Sequence, residues 1–178
     1  FKSASILSAL RAYLAAEIPS RAPLRTEANP NGWPHIVVEL DECRSFGVTD
    51  FIPDSESPLD TYVYVIIYVA SDNPKGEEGE FDNTHERVLN VRFEIRALGF
   101  PVQKYIEPIA NLICALVYKQ AGDLSKGVSV FQSIIKDIGS PTIGYDAVSG
   151  DKEYSAGAID IPFSYFSDSA VFPASYTA

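Results

Sequence analysis

The segment Val88-Leu-Asn-Val-Arg-Phe-Glu-Ile-Arg-Ala97 alternates apolar and polar residues without a break. Strict period two marks a strand with one face buried and the other wet or partnered. Leu89, Val91, Phe93, Ile95 and Ala97 share one face; Asn90, Arg92, Glu94 and Arg96 share the other. Upstream, Thr61-Tyr-Val-Tyr-Val-Ile-Ile-Tyr-Val69 is almost wholly β-branched and aromatic, which suits a pleated surface. Together the runs predict the arms of a long β-hairpin around which the chain is organised. Val63, Val65, Ile67 and Val69 join the core face, so Tyr62, Tyr64, Ile66 and Tyr68 fall beside Arg92 and Arg96. Tyr and Arg bury large area while keeping a polar end, as interfaces require. Either this face contacts a partner through Tyr62, Tyr64, Tyr68, Arg92 and Arg96, or a helix or Arg stems lying on Tyr rings cover it.

Between the arms, residues 71–87 hold six carboxylates, two glycines and one proline. A loop of that length in a compact domain is usually functional or disordered. Asp72, Glu77, Glu78, Glu80 and Asp82 make it a loop that folds only onto something outside the domain. EF-hand spacing is missing, and an open glycine-containing loop does not preorganise carboxylates. A solvated charge run is therefore expected, with no metal.

A chain of 178 residues suits one domain, residues 1–178, with a real core. Hydrophobic content of 46% and mean hydropathy of +0.01 predict a soluble globular protein. No apolar run approaches the roughly 20 residues a membrane span needs. Phe1-Lys-Ser-Ala-Ser lacks the basic region of a signal peptide, so none is expected. Acidic residues outnumber basic ones 24 to 14, for a net charge of −10. That argues against phosphate-backbone binding as the main task. It suits a surface that is simply soluble, and is compatible with one that nucleic acid passes without sticking. Cys114, in an apolar helical run, reads as a small buried hydrophobe, whereas Cys43 lies in a polar segment. Two thiols supply too few ligands for a metal site.

Taken in order, residues 3–17 predict a helix with Ile6, Leu7, Leu10, Leu14 and Ile18 on one face, a cap at Ser3 or Ser5, and a stop at Pro19. The connector 19–34 is rich in Pro, Asn and Arg; its Trp33 anchors either the core or a neighbouring subunit. A short strand follows at residues 35–40, then an irregular stretch in which Phe46, Val48, Phe51 and Ile52 form another short strand. After the hairpin, residues 101–121 predict a second helix with Val102, Ile106, Ile109, Leu112, Ile113, Leu116 and Val117 on its apolar face, ending near Gly122. Pro108 is tolerated if that helix starts near Tyr105 and kinks it otherwise. Residues 128–138 read as a strand, and 142–148 as its extension or return. Residues 154–166 form the last strand, with Ile159, Ile161, Phe163 and Tyr165 on one face. Pro162 suggests an edge, or a position where its missing N–H faces outward. The tail 167–178, with Phe172 and Tyr176, is frayed or docked on a partner. This order predicts an α+β fold: a mostly antiparallel sheet built around the long hairpin, with two helices packed on one face.

No catalytic constellation emerges. There are two histidines, His35 at a strand start and His85 in the acidic loop, and no nucleophile elbow. Neither Walker nor Rossmann glycine spacing is met, so no cofactor is expected. Pro53-Asp54 followed by Glu94-Ile-Arg96 resembles in part the magnesium-dependent restriction-type nuclease core, with Arg in the place of its usual Lys.

The element order carries a fuller resemblance. An amphipathic helix leads through a Pro-rich connector to a short strand and a long hairpin with a large polar loop. A second apolar helix follows, then closing strands ending in Ala158-Ile-Asp-Ile-Pro-Phe-Ser-Tyr-Phe166. The pattern resembles the tail terminator proteins of long-tailed bacteriophages over most of the chain, though with a longer connector and tail. That resemblance implies a structural virion protein, not an enzyme, assembled in the host cytoplasm. It implies a ring, usually hexameric, seated on the last ring of tail tube protein. There it ends tube polymerisation and meets the head-side connector protein, while DNA passes through the lumen without specific binding. On this reading the acidic loop faces the lumen or docks a partner. Another neck or connector subunit is the nearest alternative; a monomeric nuclease-like enzyme is the alternative of a different kind.

Overall fold

The structure is a computed structural model that describes residues 2–24, 26–40, 62–75, 86–98, 102–122, 135–148 and 154–166. The hairpin is its axis. Strand β2 (Tyr62–Pro74) pairs antiparallel with β3 (Glu86–Leu98), and β3 pairs in unbroken register with β6 (Tyr154–Phe166). On one side β1 (His35–Leu40) runs parallel to β2. On the other, β4 (Ile135–Ile138) and β5 (Thr142–Val148) lie end to end along the same edge of β6. Among the described residues the result is a mixed, mostly antiparallel six-stranded sheet with two helices, the expected α+β class.

One face of the sheet meets helices α1 (Lys2–Arg21) and α2 (Val102–Gly122). The alternation works as expected: Val63, Val65, Ile67, Leu89, Val91, Phe93, Ile95, Ile159, Ile161 and Phe163 are fully buried against Ile6, Leu10, Leu14 and Ile18 of α1 and Ile106, Ile109 and Ile113 of α2. Each large apolar side chain so buried contributes about 1.5–3 kcal/mol. The Tyr13 hydroxyl donates to the Leu116 carbonyl at 3.3 Å and ties the helices together.

Helix α1 runs longer than its local signals predict. α1 has begun at Lys2, so neither Ser3 nor Ser5 caps it, and it continues through Pro19 to Arg21. Pro19 is exposed and removes one donor near the end, while the Ala22 N–H still reaches the Ile18 carbonyl at 2.8 Å. Pro108 likewise sits inside α2, which starts at Val102 rather than near Tyr105. An interior proline costs about 3 kcal/mol; the buried row from Ile106 to Val117 outweighs it.

Pro162 is not on an edge, since β6 lies between β3 and β4/β5. Its carbonyl accepts from the Gly139 N–H at 2.8 Å. Within a strand a residue's N–H and C=O point the same way, so the missing N–H of Pro162 faces the junction between β4 and β5, where the ladder is already interrupted. A Cβ on Gly139 would come 2.6 Å from the Pro162 Cγ, so the two residues fit only because position 139 lacks a side chain.

The hairpin arms also exceed their alternating runs. A bulge between Val69 and Ser71 carries β2 on to Pro74 and reverses which residues face the helices. The further expectations at residues 46–52, 128–134 and 167–178 lie outside the described residues.

Candidate interaction surface

The sheet face turned away from the helices is a grid, because the registers run on across β2, β3, β6 and β5. One row is Tyr68, Arg92, Asp160 and Thr142; the next is Ile66, Glu94, Ala158 and Gly144; a third begins Tyr64, Arg96, Ala156. Arg92 grips Asp160 with two prongs, Nε to Oδ1 at 2.7 Å and Nη2 to Oδ2 at 2.8 Å. That bond to Asp160 holds the Arg92 guanidinium well above its ordinary pKa, outweighing burial. Arg96 binds Glu94 Oε1 from Nη2 at 2.6 Å and from Nε at 2.7 Å. The Tyr68 hydroxyl donates to the other Glu94 oxygen at 3.2 Å, and burial raises its pKa. Amid these groups Ile66 is only 1% exposed, and Tyr64 is half-buried.

Tyr64, Tyr68, Arg92 and Arg96 therefore share one face, as the alternation predicts. Tyr62 stands in β2 opposite His35, but its side chain is outside the described residues. Trp33 is partly buried against the core, and its backbone N–H donates to the Pro23 carbonyl at 2.9 Å. The connector before it is pinned by a tight turn in which the Asn29 N–H donates to the Thr26 carbonyl at 3.0 Å. The place of Asp160 between Ile159 and Ile161 puts it opposite the core face, but nothing in the sequence marks it as the partner of Arg92.

Asp72 requires a correction. It belongs to β2, not to a loop, and the bulge places it opposite Leu89, on the helix side. There it accepts from Arg87 Nε at 2.9 Å and from the Tyr165 hydroxyl at 2.9 Å. Burial and the Asp72 carboxylate push the Tyr165 phenol up to about 12. The connecting segment is shortened accordingly, and Lys75 joins Glu86 at its base at 2.8 Å. Glu77, Glu78, Glu80 and Asp82 lie outside the described residues.

Among the described residues no group of three or more His, Cys, Asp or Glu is placed to hold a metal ion. Glu94 is engaged by Arg96 and Tyr68; Asp54, its companion in the nuclease-like pattern, lies outside the described residues. Cys114 is a half-buried free thiol whose pKa burial raises; Cys43 lies outside the described residues. Among the described residues no helix is long and apolar enough to cross a membrane.

Fold and face define an α+β protein with a tyrosine-bearing sheet face whose arginines are neutralised by its own carboxylates. No protein-family model matches the chain, and no curated protein matches it.

Proposed function

We propose that this protein is a structural virion subunit that assembles, as a ring, on the head-proximal end of a phage tail tube, ends tube polymerisation and joins the tail to the head-side connector. The observation that supports this reading best is the α+β layer itself. Two helices cover one sheet face, while the other carries Tyr64, Tyr68 and a nearly buried Ile66 among paired charges. Half-buried tyrosines over a prearranged polar grid are suited to docking a protein surface. The chain's net charge of −10 suits a lumen through which DNA moves without adhering. A neck or connector subunit would draw on the same features.

The test is light scattering of the full chain across a concentration series, with and without tail tube protein, beside electron microscopy of tubes grown in its presence. Rings alone or on tube ends, with shortened tubes, are the expected result. A strict monomer that leaves tube length unchanged would overturn the proposal and turn attention to a magnesium-dependent nuclease assay with Asp54 and Glu94 variants.

A further inference from the structure

Two of the large exposed apolar side chains sit together on one sheet edge. Ile143 is 36% exposed and Tyr145 is 44% exposed, and both belong to β5, which among the described residues pairs only with β6. Their register partners are Ile159 and Gly157, both core-facing, so they lie on the helix side at the rim of α2. The Tyr145 ring lies over Gly157, its Cδ1 3.2 Å from where a Cβ there would stand, beside Ile106 of that helix.

The backbone of this edge has a definite sense. Because the Pro162 carbonyl faces β4 and β5, so do the polar groups of Asp160, Ala158 and Ala156, in the same parity. Their partners Thr142, Gly144 and Asp146 bond inward. Ile143, Tyr145 and Ala147 therefore direct N–H and C=O away from the sheet. Apolar side chains above a row of outward backbone groups suit one kind of ligand, an extended strand.

The chain carries a matching strand. β1 forms the sheet's opposite edge, with six residues against seven in β5, and pairs only with β2 among the described residues. Ile36, Val38 and Leu40 line its helix side, and α1 packs over it. A second copy presenting β1 to β5 would bring its α1 beside α2, over Ile143 and Tyr145. Strand directions agree as well. β1 and β2 run together while β3, β6 and β5 alternate, so β5 runs opposite to β1. Copies related by rotation about an axis along the strands meet antiparallel, the stronger ladder.

We propose that the outer edge of β5 pairs head to tail with the outer edge of β1 in a second copy of this chain, so that the sheet continues from subunit to subunit. This rests on the ring reading for closure: a head-to-tail contact generates rings, whereas β5 against β5 stops at a dimer.

The test uses the full chain, alone and with tail tube protein, measuring mass by light scattering and amide exchange residue by residue. As assembly proceeds, the amides of Ile143 and Tyr145, and alternate amides within residues 36–40, are expected to slow at least about tenfold. Tyr145→Pro deletes an outward N–H, and Ile143→Lys puts a charge on the edge. Each is expected to abolish assembly while the far-UV spectrum stays that of the wild-type monomer. If Tyr145→Pro fails to fold, Ile143→Lys decides. Assembly by Ile143→Lys at wild-type concentrations, or protection of β5 without β1, would overturn the edge pairing and leave the ring reading standing. A wild-type chain that stays monomeric with and without tube protein would overturn both.

Discussion

Tyr165→Phe is expected to weaken the fold at neutral pH and to remove a stability loss at high pH. Tyr165 is 4% exposed, and its hydroxyl donates to Asp72, which also binds Arg87. Deleting one donor to a carboxylate that keeps its arginine costs about 1–2 kcal/mol. The phenol's pKa rises from 10.0 to about 12, so the folded chain holds this proton more tightly than the unfolded one. The stabilisation is complete below pH 10 and is lost as pH rises through about 12. That gap corresponds to roughly 2.7 kcal/mol at ~1.36 kcal/mol per pKa unit. Asp72 and Arg87 are each about a third exposed, and this screening brings the expected loss to about 1–2 kcal/mol. Urea unfolding followed by far-UV circular dichroism, from pH 8 to 12, measures it. The chain's ten tyrosines add titrations of their own, so variant and wild type are compared at each pH. The difference between them should shrink as pH approaches 12. Parallel stability curves over the whole range would refute the coupling of Tyr165 to Asp72.

Gly157→Ala should destabilise the fold by about 1–3 kcal/mol, measured as a lower urea midpoint. The new Cβ would meet Ile106 Cγ2 at 2.5 Å, and a β-branched side chain in a helix cannot turn aside. The pair Arg92 and Asp160, each about a third exposed, should show a coupling of about 0.5–1 kcal/mol in a double-mutant cycle to Ala, smaller at high salt. Tyr64→Ala combined with Arg92→Ala should weaken assembly with tube protein while the monomer remains folded; unchanged assembly by light scattering would remove this face from the interface. Cys114 should react with a thiol reagent more slowly than an exposed thiol, because burial raises its pKa.

The core was legible because it is local arithmetic. Alternation in residues 88–97 and 154–166 and the helical spacing of Ile6, Leu10, Leu14 and Ile18 each fix a buried face without knowledge of what covers it. Features that depend on registry between distant segments were not legible. Arg92 meets Asp160 across 68 residues, a pairing that only the register between β3 and β6 reveals. The bulge at Val69–Ser71 falls where the chain turns polar, so no alternation remained to show that Asp72 was still in a strand and facing the helices. Pro162 carried an ambiguous signal: its missing N–H does face away from β3, but toward a gap formed by Gly139. Pro19 misled, and Pro108 left two outcomes open, for one reason. A proline's local cost is fixed, whereas the burial that overrides it is known only once the packing is seen.

The internal pairing on the sheet face changes what its partner must look like. Free arginines would call for carboxylates on the partner and make binding fall steeply with salt. Here Arg92 and Arg96 are held by Asp160 and Glu94, so this patch presents tyrosine rings, alanines and an ordered set of dipoles with little net charge. Their geometry is set before docking, which lowers the entropy cost of ordering side chains. A complementary surface would be apolar with hydrogen-bonding edges, and its binding would change little between low and high salt. Residues 77–82, with Glu77, Glu78, Glu80 and Asp82, carry the opposite character: docking through them would need a basic partner and would weaken as salt rises. The salt dependence of tube-protein capture therefore separates the two surfaces without a mutation.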